Sequence, residues 1–139
     1  MNIDPSAQSN LYGHEIIFNN LFKLYKNNNL PNKILLSGDK GVGKSTLSYH
    51  LVNSIFSEDE EYSYSHKIFQ INLENRSFKL IQNKSHPNFS LVDVPEDKKN
   101  IDINQIRDLI SNLNKSSFNS KPRFVLIDNI ELMNINSVN

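Results

Sequence analysis

The stretch LLSGDKGVGKSTLSYHL, Leu35 to Leu51, decides how the rest of the chain is read. Gly38, Asp39, Lys40, Gly41, Val42, Gly43, Lys44 and Ser45 fit the pattern G-x-x-x-x-G-K-S throughout, and Thr46 follows. Glycines at these places let the backbone aim successive N–H groups inward at phosphate oxygens. The helix that begins here adds its positive N-terminal end. Lys44 is placed to reach the β and γ phosphates, the Ser45 hydroxyl to ligate Mg²⁺, and the Thr46 hydroxyl to lie near the α phosphate. The context fits as well. Ile34, Leu35 and Leu36 form a short apolar run before the glycines, which predicts a buried central parallel strand. Leu47, Leu51, Val52, Ile55 and Phe56 return at helical spacing after them. The bland alternatives are a glycine turn that binds nothing, or an intact loop that binds nucleotide without turning it over.

Working toward the N-terminus, Ile17, Leu21, Leu24 and Tyr25 predict an amphipathic helix over 14–27, stopped by Asn28 to Pro31. Working toward the C-terminus, Ser57 to Pro87 is the least legible part. Glu58, Asp59, Glu60 and Glu61 read as a solvated helix end or loop. Phe78, Leu80 and Ile81 mark an ordered element of undecided type. His86 and Pro87 mark a break. Phe89 to Val94, FSLVDV, alternates as a strand does, and Pro95 to Asn100 is a charged turn. Asp102, with Gln105 three positions on, caps a helix whose apolar face is Ile103, Ile106, Leu109, Ile110 and Leu113. After a loop over Ser116 to Pro122, Arg123 to Asp128, RFVLID, predicts a second buried strand. Helices alternating with apolar strands mean an α/β fold with a parallel sheet.

Asp128 ends that second strand. An acid at the C-terminal end of a parallel strand faces the ligand crevice, where a phosphate-loop protein holds its second magnesium-positioning group. The alternative is an ordinary aspartate capping the next turn. Ser45 and Asp128 are thus the expected metal residues, with ATP and Mg²⁺ the expected cofactors. Asn129 follows, where many ATPases of this type have a glutamate. Asparagine can hydrogen-bond the attacking water but cannot take its proton, and a lost general base costs typically about 10² to 10⁴ in rate. Glu131 lies two residues further and points elsewhere if a turn or helix begins here. No residue is assigned a catalytic role.

Composition narrows the rest. The 139 residues, 37% hydrophobic and 22% charged, suffice for one modest domain. Fifteen basic residues balance fifteen acidic ones, so no global field concentrates nucleic acid or an acidic membrane. There is no cysteine, which excludes disulfides and thiolate metal sites and fits a reducing compartment. MNIDPSAQSN has neither a basic start nor an apolar run, and no apolar stretch approaches the roughly 20 residues that span a bilayer. The default is a soluble, cytoplasmic protein.

Taken in order, these residues resemble one family. Gly13-His14-Glu15, then Leu30 to Leu51, look like the start of the delta-prime subunit of the bacterial DNA polymerase III clamp loader. HPNF at His86 to Phe89, IDINQIRDL at Ile101 to Leu109 and FVLIDNIELMNINSVN from Phe124 resemble its later signatures. The resemblance implies an AAA+ fold: a P-loop NTPase with a parallel sheet flanked by helices. Residues 1–139 would be the N-terminal part of that nucleotide-binding domain, incomplete at its C-terminus, without sensor strand, lid or collar. It implies as partners the other subunits of a hetero-pentameric ring, and indirectly the sliding clamp and primed DNA, with no membrane. Relatives often carry four cysteines that bind zinc between the first two strands. His66 and His86 are too few to replace them, so zinc is not expected and Ser57 to Lys84 must be held otherwise. A chain lacking the sensor strand is expected to be marginally stable and aggregation-prone. The competing readings are an active P-loop ATPase or small-molecule kinase of another class, and a helicase loader or replication initiator. The first needs substrate-side arginines, of which only Arg76, Arg107 and Arg123 exist. The second needs a stronger second acid and a basic DNA-facing surface.

Overall fold

The computed structural model describes residues 4–37, 43–92, 104, 108, 111 and 121–128. The chain divides into two compact units, Met1–Ser85 and His86–Asn139.

The first unit is helical. A short 3-10 turn, Pro5–Ala7, is capped by Asp4, whose carboxylate accepts from the Ser6 N–H. Helix α1 runs Glu15–Lys26, with Glu15 in its first turn and Lys23 and Lys26 in its last, each charge opposing the nearer end of the helix dipole. Asn28 ends it with φ of 59°. The helix forms where its periodicity predicts, but its buried stripe is rotated. Phe18 is fully enclosed, Leu21, Phe22 and Tyr25 are half-buried, and Ile17 and Leu24 are exposed. The aromatic residues decide the rotation. Phe18 stacks on Tyr64 with ring centroids 5.2 Å apart and meets Phe69 edge-on at 5.8 Å, and Phe22 lies 4.3 Å from His66. Burying large rings stabilises more than burying Ile17 and Leu24 would.

Helix α2, Lys44–Phe56, is the axis of this unit and packs against α1, the 3-10 turn and helix α3, Arg76–Gln82. The expected apolar face, Leu47, Leu51, Val52, Ile55 and Phe56, is buried. So are His50, Asn53, Ser54 and the following Ser57, which the apolar periodicity does not foretell. Each has a partner, as buried polar groups require. His50 Nε2 donates to the Gln8 carbonyl at 2.9 Å, and its Nδ1 accepts from the Tyr64 hydroxyl at 2.7 Å. Asn53 and Asn75 exchange two amide hydrogen bonds, each 3.1 Å. Ser54 Oγ donates to the Leu51 carbonyl at 2.6 Å, and Ser57 Oγ accepts from the Tyr64 N–H at 3.0 Å.

This polar set explains how the illegible stretch 57–84 is held. The element around Phe78 is helix α3, whose N-cap is Asn75: its side-chain oxygen accepts from the Phe78 N–H at 2.7 Å. The residues from Ser65 to Gln70 fold back through antiparallel bridges of Gln70 with Ser65 and with Asn10. The acidic run is not simply solvated. Glu60 accepts from both the N–H and the hydroxyl of Ser77, and Glu58 pairs with Lys26 at 2.8 Å. Turns after α2 point these carboxylates back at the unit, and only Asp59 and Glu61 are exposed.

The second unit contains a two-stranded parallel sheet, β1 Phe89–Val92 and β2 Phe124–Ile127, in register from Phe89 opposite Phe124 to Val92 opposite Ile127. Parallel neighbours need a crossover of a dozen or more residues. Within that crossover Asn104, Asp108 and Ser111 are helical and exposed, and they share the helix side away from the expected apolar face. The remainder of 101–113 lies outside the described residues, as do Asp93, Val94, the charged turn and the loop 116–120. The RFVLID strand forms, but its residues are half-buried, not enclosed. One described neighbour covers one of its edges.

The strand expected at Ile34 to Leu36 is absent. Residues 33–37 have no regular secondary structure, and Leu35 is 71% exposed. An apolar run becomes a strand only when a ladder partner satisfies its backbone, and none is recorded for it among the described residues.

Candidate functional site

The described part of the glycine-rich motif begins at Gly43, the N-cap of α2. Its φ of +86° lies in the left-handed region, which costs an L side chain roughly 1–2 kcal/mol and costs glycine nothing. From that turn the chain enters the helix directly: the Gly43 carbonyl accepts from the Leu47 N–H at 3.0 Å. The Ser48 hydroxyl donates back to the Lys44 carbonyl at 3.1 Å. Leu47 is buried, which anchors this first turn to the unit beneath it. Lys44, Ser45 and Thr46 therefore occupy one helical turn, all half-buried. Neither a capping side chain nor an acidic residue sits in that turn, so no carboxylate of the helix itself offsets the positive end of its dipole. A turn of this kind suits an anion. Gly38, Asp39, Lys40, Gly41 and Val42 lie outside the described residues.

Asp128 belongs to the second unit and is fixed by the sheet. Its N–H donates to the Val92 carbonyl at 2.9 Å, one step beyond β2. At the start of the same strand the Phe124 N–H donates to the Asn88 carbonyl at 2.8 Å, and the Asn88 amide reaches the Lys121 carbonyl at 3.3 Å. The carboxylate thus stands at the C-terminal end of a parallel strand, the position its sequence context predicts. Asn129 and Glu131 lie outside the described residues.

One residue near the motif escaped the reading of the sequence as a site. His14, the N-cap of α1, holds its ring against Gly43: a Cβ built on that glycine would stand 3.4 Å from Nε2 and 3.5 Å from Cδ2. The only signal for it was the tripeptide Gly13-His14-Glu15, which carries no chemistry by itself. Elsewhere in the first unit, a cavity of about 300 Å³ is lined by Phe22, Lys26, Ser54, Glu58, Tyr64 and His66. Its two charges pair with each other. Lys26 is raised above its ordinary pKa by its hydrogen bond to Glu58, and burial lowers His66. Among the described residues, no three His, Cys, Asp or Glu side chains gather as a metal would require. None of the described helices is long and apolar enough to cross a membrane.

Residues 13–139 match the family described as DNA polymerase III, delta subunit. The chain belongs to that family. The match begins at Gly13, next to His14, and runs through the glycine motif, both strands and Asp128. No curated protein matches the chain significantly. Membership makes this a clamp-loader-type subunit of DNA polymerase III, with a role in DNA replication. The helices and parallel strand pair are those of a small α/β protein, consistent with an AAA+-like domain.

Proposed function

We propose that this member of the family is of the delta-prime type and binds Mg-ATP through its glycine motif, with little hydrolysis of its own. The observation that carries the binding reading is Gly43, a left-handed N-cap opening α2 immediately before Lys44 and Ser45. That geometry supports a phosphate cradle, because the lysine, the hydroxyls of Ser45 and Thr46 and the helix's N-terminal N–H groups issue from one turn. Gly38, Asp39, Lys40, Gly41 and Val42 would complete the cradle. Ser45 and Asp128 are the residues proposed to hold magnesium, which would offset the negative charge of the triphosphate.

Slow turnover rests on Asn129. Lacking a proton acceptor there, the chain positions water without activating it. A subunit that holds nucleotide without consuming it serves assembly: bound ATP stabilises the folded form by mass action. The proposed partners are the other subunits of the hetero-pentameric clamp-loader ring. Contact with the sliding clamp and primed DNA would come through that assembly, in keeping with a balanced charge of 15 basic and 15 acidic residues. The test is equilibrium titration with ATP and Mg²⁺ alongside a turnover assay. The proposal expects saturable binding, its loss in Lys44→Ala, and negligible phosphate release. Turnover on the order of 10 s⁻¹, an ordinary enzymatic rate, would refute the scaffold reading.

A further inference from the structure

We infer that His14 is a positioning residue for the phosphate-binding end of α2, a brace packed over Gly43; the inference rests on the nucleotide reading proposed above. Its ring lies over the face of Gly43 that a side chain would occupy, 3.4 Å from the Cβ position. Both sides of this contact are anchored one turn away. On α1 the His14 carbonyl accepts from the N–H of Phe18 at 2.9 Å, and Phe18 is fully enclosed. On α2 the Gly43 carbonyl accepts from Leu47, which is 2% exposed. The approach to His14 is itself shaped. Gly13 turns with φ of +82°, and its N–H donates to the Glu15 carboxylate at 3.3 Å. The backbone on both sides of the contact is therefore held in place, and the ring faces the residue with the widest conformational freedom in the described part of the motif.

The function of such a contact is preorganisation. A glycine in a loop samples many backbone states, and binding an anion must select one of them. A ring held over its open face removes some of those states in advance, so less ordering cost falls on the ligand.

The full chain is titrated with N-methylanthraniloyl-ATP and, by competition, with inorganic tripolyphosphate, in wild type, His14→Ala and His14→Phe. His14→Ala is expected to weaken both ligands alike, by about 5- to 20-fold, and His14→Phe, which keeps a planar ring, to recover most of the loss. Tyrosine fluorescence checks that each variant is folded. Unchanged affinity for both ligands in His14→Ala overturns the inference and leaves the nucleotide reading intact. Weakened ATP binding with unchanged tripolyphosphate binding also overturns it, because the ring would then act on the nucleoside. If wild type binds neither ligand, the nucleotide reading fails and takes the inference with it. Hydrogen exchange at the Gly43 amide tests the brace without any ligand: it is expected to quicken in His14→Ala, and an unchanged rate overturns the contact's role.

Discussion

Replacing Asn75 with alanine isolates the polar joint that holds the segment between α2 and α3. Asn75 is 1% exposed and does three things there. Its Nδ2 donates to Asn53 Oδ1 at 3.1 Å, its Oδ1 accepts from Asn53 Nδ2 at 3.1 Å, and the same oxygen caps α3 by accepting from the Phe78 N–H at 2.7 Å. Losing the cap costs about 1 kcal/mol. Losing both amide bonds strands the Asn53 amide, also 1% exposed, with only a long bond from the Ser57 hydroxyl at 3.4 Å. A stranded buried amide costs roughly 2–3 kcal/mol. The expected total is about 3–4 kcal/mol. The assay is urea unfolding followed by tyrosine fluorescence. All five tyrosines, Tyr12, Tyr25, Tyr49, Tyr62 and Tyr64, lie in Met1–Ser85 and there is no tryptophan, so the signal reports on this unit alone. With an m-value of about 1.5 kcal/mol/M, the midpoint should fall by about 2 M. Asn53→Ala with Asn75→Ala should cost less than the sum of the single changes, by about 1–2 kcal/mol, because the second removes an already stranded group. A single-variant loss under about 1 kcal/mol, or strict additivity, would refute the joint.

Three further outcomes follow from the same contacts. Burial holds His50 below its ordinary pKa, with the Gln8 carbonyl opposing that shift through its hydrogen bond. The neutral ring is the one the fold favours, so its contribution is complete above about pH 6.5 and is lost as pH falls toward the lowered value. Urea midpoints should therefore drop on acidification below about 6.5, and His50→Gln should flatten that slope; a steeper slope in the variant would contradict the assignment. Phe18→Ala, which removes a fully enclosed ring stacked on Tyr64, should cost about 3–5 kcal/mol by the same assay. Gly43→Ala should cost about 1–2 kcal/mol from its left-handed φ alone, read as a lowered midpoint, and a neutral result would mean that the turn is not left-handed in solution.

Legibility in the sequence followed the physical origin of each element. Helices α1 and α2 were readable because their apolar spacing matches the helical repeat, and the second was further marked by the glycines before it. The rotation of α1 was not readable: Phe18 and Phe22 outweigh Ile17 and Leu24 only because Tyr64, His66 and Phe69 arrive from some 40 to 50 residues away. Strands β1 and β2 and the station of Asp128 were legible from short apolar runs. The same rule failed at Ile34 to Leu36, since an apolar run records what a strand would bury and not whether a partner pairs with it. The stretch 57–84 was opaque because asparagine, serine and glutamate hold it, and pairs such as Asn53 with Asn75 leave no periodic trace. Of the site, Gly43 to Thr46 were named from the motif, whereas His14 was missed because a contact between two helix starts has no spacing signature.

The measurement that tests the central claim most directly is the equilibrium binding of ATP with Mg²⁺ to the full chain, with Lys44→Ala as its control. The account predicts one saturable site in the wild type, loss of binding in Lys44→Ala with the tyrosine-reported fold retained, and almost no phosphate release over the titration. Absence of binding in the wild type, or equal binding in wild type and Lys44→Ala, would contradict it.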